Sequence, residues 1–431
     1  MRAPLAAMLT VWPVLAAGGE FFTLDGHGGP IMDVTTAPDG TIATASFDNA
    51  VGLWPNRAPR WLDGHQAAVN TVIFLPDGRL ASGGDDFDIL LWERDGSAER
   101  LTGHEGKVMA LAVSPDGDLL ASAAWDGRIG LWPLAGGAPR FLEGHDAGVN
   151  DVAFLDGGAT LFSASSDGTL RAWSVANGSE ERVLVENGFG INAFHVKEEA
   201  GWLAYGTVDG GTRVVDIESG DEIADFSLDR RPILSLTADD LGRYIAVGDG
   251  EGYIMVIDTT DWSIARDFRA TDTGPVWALA FSPDGTNIHA GGLDDTLYSW
   301  PLASLDEAAA MQDGAKSFLR DPDEMENGER QFARKCSICH SLTPGSERKA
   351  GPTLYGLFGR PAGSVADYSY SETLRNSDIV WNDDTIDGLF DLGPDHFIPG
   401  SKMPMQRIAQ PQDREDLVAF LRRATDPETQ Q

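Results

Sequence analysis

The stretch GHEGKVMALAVSPDGDLLASAAWDGRIGLW, from Gly103 to Trp132, carries the pattern that decides the fold of the first two thirds of the chain. It opens with a Gly-His pair, closes with a tryptophan, and contains an SPDG turn between runs that alternate in the manner of β-strands. The Gly-His pair recurs at His27, His65, His104 and His145, and the tryptophan at Trp54, Trp92, Trp132 and Trp173. The spacing between successive copies is 38 to 41 residues. The pattern therefore predicts a repeated unit of short strands joined by tight turns.

A period near 40 residues with Gly-His at one end and Trp at the other is typical of four-stranded propeller blades. Further units end at Val215, Ile257 and Trp300, which brings the number to seven, a common size for a closed ring. Closure requires the strand that begins at Phe21 to pair with the last unit around Thr296 to Trp300. Such a seam leaves no free sheet edge.

The repeat resembles the WD-repeat family, in which a His, a Ser or Thr, an Asp and a Trp form one buried hydrogen-bonded network per blade. Two units match fully on this assignment: His27, Ser46, Asp48 and Trp54, and His145, Ser165, Asp167 and Trp173. The departures are Gly84 and Ala124 at the hydroxyl position, Val215 and Ile257 in place of Trp, Glu251 in place of Asp, and Pro275 in place of His. The resemblance implies that the Gly-His histidines are structural residues and not metal ligands.

The second decisive stretch is Cys336-Ser-Ile-Cys339-His340, which contains both cysteines of the chain. Two thiols three residues apart on one helical turn can each add across a vinyl group of haem, and the adjoining imidazole can reach the iron. A structural zinc site would need four ligands, and no second pair at ligand spacing exists in the sequence. A thioredoxin-like dithiol would follow a strand, whereas a charged helical segment precedes this motif. The motif therefore predicts a covalently bound haem c.

From Met325 onward the chain resembles the class I cytochromes c. Gly328 and Phe332 stand before the cysteines as in the first helix of that family, and the last helix would offer Leu417, Phe420 and Leu421 as its packing partners. The string GPTLYGLFGR, Gly351 to Arg360, follows at the family's distance. The resemblance implies that the Pro352 carbonyl holds the far nitrogen of His340, and that the haem propionates bind at Arg360, Tyr370 and Trp381.

The same resemblance implies that the second axial ligand is Met403, in the string IPGSKMPM. Met405 and His396 lie within a few residues and remain alternatives. Ligation of the iron by His340 and Met403 would fill both axial positions and favour ferrous iron. The expected activity is therefore the transfer of single electrons, with no residue assigned a catalytic role.

The sequence as a whole predicts a multidomain protein, an all-β seven-bladed propeller followed by an all-α class I cytochrome c domain. The expected boundaries are a signal peptide at 1–19, the propeller at 20–303, a linker at 304–324 and the cytochrome domain at 325–431. Met1 and Arg2 followed by the uncharged stretch Ala3 to Gly19 indicate export to the periplasm. An uncleaved N-terminal anchor is the alternative, and it is the only membrane contact expected.

The formal net charge is −35, and it argues against nucleic acid and anionic lipid surfaces as partners. The residues after Gln312 contain 14 basic and 20 acidic side chains, so most of the negative charge lies before them. The expected partner is a redox protein that docks on the propeller or at the haem edge. Two other functions stay open: a redox enzyme whose propeller channel binds a substrate or second cofactor, and a haem-based redox sensor or assembly factor.

Overall fold

A computed structural model describes residues 19–155, 157–227, 232–271, 274–303, 325–346, 348–368, 370–399, 403 and 406–427. The expected signal peptide, apart from Gly19, and the expected linker 304–324 lie outside these residues. Among the described residues, none belongs to a helix that combines the length and apolar character needed to cross a bilayer.

The residues before 304 form seven four-stranded antiparallel sheets, as the repeat predicts. The chain enters with β1 (Phe22–Asp25), and the next three sheets, blades 1 to 3, consist of β2 (Ile31–Thr36), β3 (Ile42–Ser46), β4 (Ala50–Trp54) and β5 (Arg60–Asp63); β6 (Val69–Phe74), β7 (Leu80–Gly84), β8 (Ile89–Trp92) and β9 (Ala98–Leu101); and β10 (Val108–Val113), β11 (Leu119–Ala124), β12 (Arg128–Pro133) and β13 (Arg140–Glu143).

Blades 4 to 6 consist of β14 (Val149–Phe154), β15 (Thr160–Ser165), β16 (Thr169–Ser174) and β17 (Glu180–Glu186); β18 (Ile191–Lys197), β19 (Trp202–Thr207), β20 (Thr212–Asp216) and β21 (Glu222–Asp225); and β22 (Ile233–Ala238), β23 (Tyr244–Asp249), β24 (Tyr253–Asp258) and β25 (Ser263–Arg269). Blade 7 combines β26 (Val276–Phe281), β27 (Asn287–Gly292) and β28 (Thr296–Pro301) with β1 from the start of the chain. Short 3-10 helices occur at Pro55–Arg57 and Glu198–Ala200.

The ring closes as the sequence predicts. Strand β1 pairs with β28 in antiparallel register, with Phe22 opposite Ser299 and Leu24 opposite Leu297. The first strand of the chain thereby completes the last blade. Because the outermost strand of blade 7 comes from the other end of the propeller, the two ends hold each other in place.

The buried polar network differs from the prediction in one member. The hydroxyl that joins His and Trp lies two residues earlier than expected: His27 Nε2 lies 2.7 Å from Thr44 Oγ1, and Trp54 Nε1 donates to the same oxygen at 2.9 Å. Ser46, the predicted member, instead donates to the Gly29 carbonyl at 3.1 Å. Positions i and i+2 of a strand face the same side, and the strand register selects the earlier one.

The hydroxyl lies at this earlier position in every blade with a Gly-His pair. The hydroxyl belongs to Ser82 in blade 2, Ser122 in blade 3 and Ser163 in blade 4, with both bonds between 2.7 and 2.8 Å in length. Ser165 is therefore not the network hydroxyl, and Gly84 and Ala124 are not losses. Each histidine also binds an aspartate through Nδ1, which is the expected Asp48 in blade 1 and Asp167 in blade 4, and is Asp86 in blade 2 and Asp126 in blade 3. Since both ring nitrogens are engaged, the prediction of structural histidines is confirmed.

Blade 7 departs from the network as the sequence predicts. Trp300 is fully buried, but its Nε1 has no hydrogen-bond partner among the described residues, and Ala290 occupies the position of the network hydroxyl. Asp294 binds the Tyr298 hydroxyl at 2.8 Å instead of a histidine. Packing against Phe21 and Phe268 holds the Trp300 ring in place of the missing hydrogen bonds.

Carboxylates on the innermost strands join some neighbouring blades. Asp33 accepts hydrogen bonds from the Val34 and Val72 amides, and the second bond crosses from blade 1 to blade 2. Asp151 does the same between blades 4 and 5, where it accepts from the Phe194 amide at 2.9 Å. Burial raises the pKa of Asp33 to about 6 and that of Asp151 to about 7, because desolvation outweighs the amide donors.

The residues from 325 onward form helices around a separate apolar core. They are α1 (Asn327–Lys335), α2 (Glu372–Arg375), α3 (Asp383–Leu392), α4 (Pro394–Phe397) and α5 (Pro411–Ala424). Helices α1 and α5 cross where Gly328 meets Asp416, and a Cβ on Gly328 would lie 2.1 Å from the Asp416 carbonyl oxygen. Phe332 packs against Phe420 at 5.5 Å between ring centroids, and against Leu417 and Leu421 in one buried cluster. The expected packing of the first and last helices is confirmed.

Candidate functional site

A single cleft in the helical part of the chain is lined by all eight side chains that the sequence singles out. These are Cys336, Cys339, His340, Pro352, Arg360, Tyr370, Trp381 and Met403. They come from positions spread over nearly 70 residues of sequence, so only the fold brings them together. Apolar side chains of the core form much of the remaining wall: Leu354, Leu357, Ile386, Leu389, Phe390 and Ile398.

The two cysteines lie on a turn that continues α1. The Cys336 amide donates to the Phe332 carbonyl at 2.8 Å, and the His340 amide donates to the Cys336 carbonyl at 2.9 Å. These backbone hydrogen bonds place both thiols and the imidazole in the same cleft. Burial raises the pKa of the Cys336 thiol to about 12 and that of Cys339 to about 11. Neither thiol takes part in a disulfide.

His340 is oriented by the segment that follows it. Its Nδ1 donates to the Pro352 carbonyl at 2.7 Å, as the sequence predicts. That bond places the proton on Nδ1 and leaves the Nε2 lone pair available as a ligand. Burial lowers the pKa of His340, which favours the neutral ring that a metal requires. Gly351 makes the arrangement possible, because a Cβ there would lie 2.4 Å from His340 Cε1.

Arg360 and Trp381 are held side by side by their backbones. The Trp381 amide donates to the Arg360 carbonyl at 3.0 Å, and the Gly359 amide donates to the Trp381 carbonyl at 2.8 Å. The Arg360 guanidinium donates to the carbonyls of Tyr355 and Thr353, each at 2.7 Å. Its pKa is lowered by burial, and no acidic partner lies beside it among the described residues. A partly buried cation of this kind is suited to an anionic group of a ligand.

The methionine ligand predicted from the sequence lines the cleft. Met403 also packs against the apolar core of the helical domain. His396, one of the alternatives, has an exposed side chain on α4 and does not line the cleft. Met405, the other alternative, lies outside the described residues.

Sequence reasoning missed Tyr368. Its ring packs edge-on against Tyr370 with 4.8 Å between centroids, and its hydroxyl donates to the Ala350 carbonyl at 2.6 Å. Tyr368 thereby supports both the Tyr370 side of the cleft and the segment that holds His340. The signal that could have found it is the spacing of two tyrosines, Tyr368 and Tyr370, two residues apart in the sequence YSY.

The propeller contributes to the mouth of the same cleft. Side chains from loops of blades 1 and 2 complete its lining: Phe47, Asn49, Gln66, Ala67, Ala68 and Asp85. Beside them, the Arg348 guanidinium binds Asp63 at 2.5 Å and lies 4.4 Å from the Trp61 ring centroid. Lys349 Nζ donates to the Gly28 carbonyl at 3.2 Å. The sequence did not predict this contact between the domains.

The residues present fit a covalently attached haem. Two thiols that form no disulfide and an imidazole whose pKa is lowered share an apolar cleft with a thioether sulfur and a cation that has no acidic neighbour among the described residues. Gly351 leaves the imidazole the room it needs. The two thiols would hold the vinyl carbons, the His340 nitrogen and the Met403 sulfur would hold the iron, and the Arg360 guanidinium would hold the propionates.

Comparison with known proteins gives matches to two families. Residues 325–425 match the cytochrome c family, and residues 18–55, 58–93, 97–133, 138–174 and 262–301 match the WD domain, G-beta repeat family. These ranges do not include Val215 and Ile257, where the sequence lacks the repeat tryptophan.

Individual relatives align with the C-terminal part of the chain. Cytochrome c of Sesamum indicum is 42% identical over 106 residues, which cover 24% of this chain and 93% of that protein. Cytochrome c of Cochliobolus lunatus is 43% identical over 98 residues, which cover 23% of this chain and 90% of that protein. Cytochrome c of Arabidopsis thaliana is 43% identical over 98 residues, which cover 23% of this chain and 87% of that protein.

Proposed function

Residues 325–425 make this chain a member of the cytochrome c family, and from that premise we propose that it is a periplasmic carrier of single electrons. It uses one haem c, bound through Cys336 and Cys339 and ligated by His340 and Met403. The propeller is the scaffold on which a redox protein partner docks. The observation that carries the proposal is the convergence of all eight predicted residues on one cleft.

The chain's own residues divide the work of holding the cofactor. Cys336 and Cys339 would hold it covalently, and because they are the only cysteines in the chain, a single attachment site is expected. His340 offers Nε2 to the iron, since Nδ1 is bonded to the Pro352 carbonyl. Bound haem supplies a one-electron change at its iron. Arg360 offers its charge to the propionates, with Tyr370 and Trp381 beside it in the lining.

Ligation of the iron by His340 and Met403 would leave no position there for a substrate, which favours electron transfer over catalysis. The apolar lining of the cleft supports this function, because excluding water keeps the ligand set and the potential constant. No residue is therefore proposed as catalytic.

Export to the periplasm is proposed from two independent features. The N-terminal stretch from Met1 to Gly19 has the composition of a signal peptide, and bacteria attach haem to Cys-x-x-Cys-His motifs outside the cytoplasm. The docking role of the propeller rests on its form, because a closed ring presents a broad rigid rim of loops. The partner is expected to be a protein and not a nucleic acid, since the chain carries a net charge of −35.

The test replaces the two candidate sulfur ligands one at a time. Met403→Ala in the full-length holoprotein is expected to abolish the ferric sulfur-to-iron charge-transfer band, because the thioether ligand is lost. Met405→Ala is the matched control and is expected to keep the band. A band that survives Met403→Ala and disappears in Met405→Ala would move the ligand role to Met405. Haem content measured per chain in the wild type checks the single attachment site, with two or more haems contradicting it.

A further inference from the structure

The mouth of the haem cleft is partly covered by the propeller. Loop side chains of blades 1 and 2 share the cleft lining with Cys339 and His340. Three of them, Phe47, Ala67 and Ala68, are apolar. Apolar contacts at this position would exclude water and larger molecules from the edge of a bound group.

Two consecutive cations attach the helical domain to blade 1. Arg348 binds Asp63 and stacks on Trp61, and Lys349 donates to the Gly28 carbonyl. We call these contacts the latch. Lys349 also lies near Asp295, where its charge opposes the rise in pKa that burial imposes on that carboxyl. The cations thus face an acidic propeller, which gives the contact complementary charge.

The propeller residues that the latch contacts, Trp61 and Gly28, are held rigidly by the buried network of blade 1. The Trp61 ring packs against His27 at 4.7 Å and against Trp54 at 5.4 Å. The Gly28 amide donates to Asp48, which is the carboxylate that binds His27. Both attachment points are therefore fixed by side chains of the blade core.

The latch itself is weak enough to open. The side chains of Arg348 and Asp63 are 31% and 68% exposed, and ion pairs at such positions contribute little and are screened by salt. Domains joined by polar contacts of this kind move relative to each other by default. A contact that is specific in position and modest in strength is suited to reversible opening.

We propose that blades 1 and 2 form a reversible cover over the mouth of the haem cleft, and that the latch holds this cover closed. A redox partner reaches the haem edge only when the latch opens. This inference rests on the proposed function as a haem electron carrier. It assigns Arg348, Lys349, Asp63 and Trp61 a gating role.

The first experiment measures the latch without any electron transfer. In full-length holoprotein, the ε-amine of Lys349 is acetylated with a neutral reagent and quantified by mass spectrometry, with Lys335 as the internal reference. Asp63→Asn and Arg348→Ala are each expected to raise Lys349 labelling roughly two- to fivefold, which corresponds to the loss of one exposed ion pair. Glu99→Gln and Arg266→Ala, which make the same charge changes at exposed positions of blades 2 and 6 away from the contact, are the matched controls and should label as the wild type does.

Salt is expected to have the same effect as the substitutions. At about 1 M ionic strength the Debye length falls to about 3 Å, so the wild type should approach the labelling of the two variants. The double variant Asp63→Asn/Arg348→Ala should label no faster than the faster single variant, because both changes remove the same interaction. Labelling of Lys349 that equals that of the controls in all variants would overturn the latch.

The second experiment tests whether the latch covers the haem. Ferricyanide oxidises the ferrous holoprotein, and both Asp63→Asn and Arg348→Ala are expected to accelerate the reaction. Simple attraction or repulsion of the anionic oxidant would change the two rates in opposite directions, because one variant loses a negative charge and the other a positive charge. Effects of opposite sign, or labelling that rises without faster oxidation, would overturn the gating role. An unchanged low-spin spectrum in the variants shows that such a failure concerns the cover and not the proposed haem ligation.

Discussion

A steric constraint between Gly351 and His340 at the candidate site supports a specific prediction. Alanine at position 351 would place its Cβ 2.4 Å from His340 Cε1 and 2.8 Å from Nε2. Carbon atoms in contact normally lie about 3.5–4.0 Å apart, so the imidazole would have to retreat by about 1 Å. The backbone itself does not oppose the change, because the φ angle of Gly351 is not in the left-handed region.

The expected cost of Gly351→Ala has two parts. Forcing extra volume into a packed site costs about 1–3 kcal/mol. Moving the ring also strains the 2.7 Å bond from Nδ1 to the Pro352 carbonyl, which contributes about 0.5–1.5 kcal/mol. The unfolding free energy of the haem-bearing domain should therefore fall by about 2–4 kcal/mol, since the two costs act together.

The assay is a denaturant titration of the full-length holoprotein followed by haem absorbance, together with the spectrum of the ferric form. Gly157→Ala is the matched control, because a Cβ at that position meets no atom within 4 Å and its φ angle is also outside the left-handed region. The variant at 351 should show an earlier unfolding midpoint and a larger high-spin fraction. A midpoint and a spectrum equal to those of the wild type would refute the inference that Gly351 determines the position of His340.

Three further outcomes follow from the described contacts. Cys336→Ser should weaken covalent haem attachment and leave the far-UV circular dichroism of the propeller unchanged, because the two domains have separate cores; loss of both signals together would contradict this. Ser82→Ala leaves the ring nitrogen of its histidine and the indole of its tryptophan unpaired and should destabilise the propeller by about 2–4 kcal/mol, against about 1 kcal/mol for Ser46→Ala; denaturation followed by circular dichroism ranks the two. Although burial alone would raise it, hydrogen bonds from Thr169 and His145 lower the folded pKa of Asp167 from the ordinary value of 3.8 to about 2. The ionised carboxylate therefore stabilises the folded propeller above about pH 4, and this contribution is lost as the pH falls through about 2. Acid titration should show the stability difference between the wild type and Asp167→Asn disappearing in that range, and a difference that persists below it would exclude this carboxylate as the cause.

The residues of the site that motif spacing alone predicts are those that lie close together along the chain, whereas Arg360, Tyr370, Trp381 and Met403 were predicted from the family resemblance. Cys336, Cys339 and His340 fall within five residues, and Gly351-Pro352 follows on a short segment that returns to the imidazole. Their mutual geometry is fixed by local backbone hydrogen bonds, among them the one from the Gly351 amide to the Cys339 carbonyl. Local constraints of this kind leave few arrangements open, and the motif is sufficient to identify them.

The hydroxyl of the blade network shows where sequence reasoning reaches its limit. In blade 1, Thr44 and Ser46 are both small hydroxyl residues, both are buried, and both point to the same side of one strand. Composition cannot tell them apart. The choice depends on pairing with the next strand, where Thr44 lies opposite Gly52, two residues before the tryptophan, and so within reach of the indole.

The contact between the domains could not be predicted because no local pattern encodes it. Arg348 adopts a left-handed backbone conformation with a φ angle of 55°, which is unusual for arginine, and this directs the loop after the haem motif toward blade 1. Its partners Asp63 and Trp61 lie 285 or more residues earlier in the chain. Such a contact depends on the position of one folded domain against another, which periodicity and motif spacing do not determine.

Blade 1 consequently has two roles that the other blades with a complete network do not share. His27 links Thr44 and Asp48 inside the blade, as the corresponding histidines do elsewhere, but the same ring also supports Trp61 beneath Arg348. Because Asp48 in turn holds the Gly28 amide, the carbonyl that receives Lys349 is set by the same network. The buried hydrogen-bonded network that the repeats share therefore also positions the cytochrome domain in blade 1. Because this network is rigid, the cover over the cleft has a defined position.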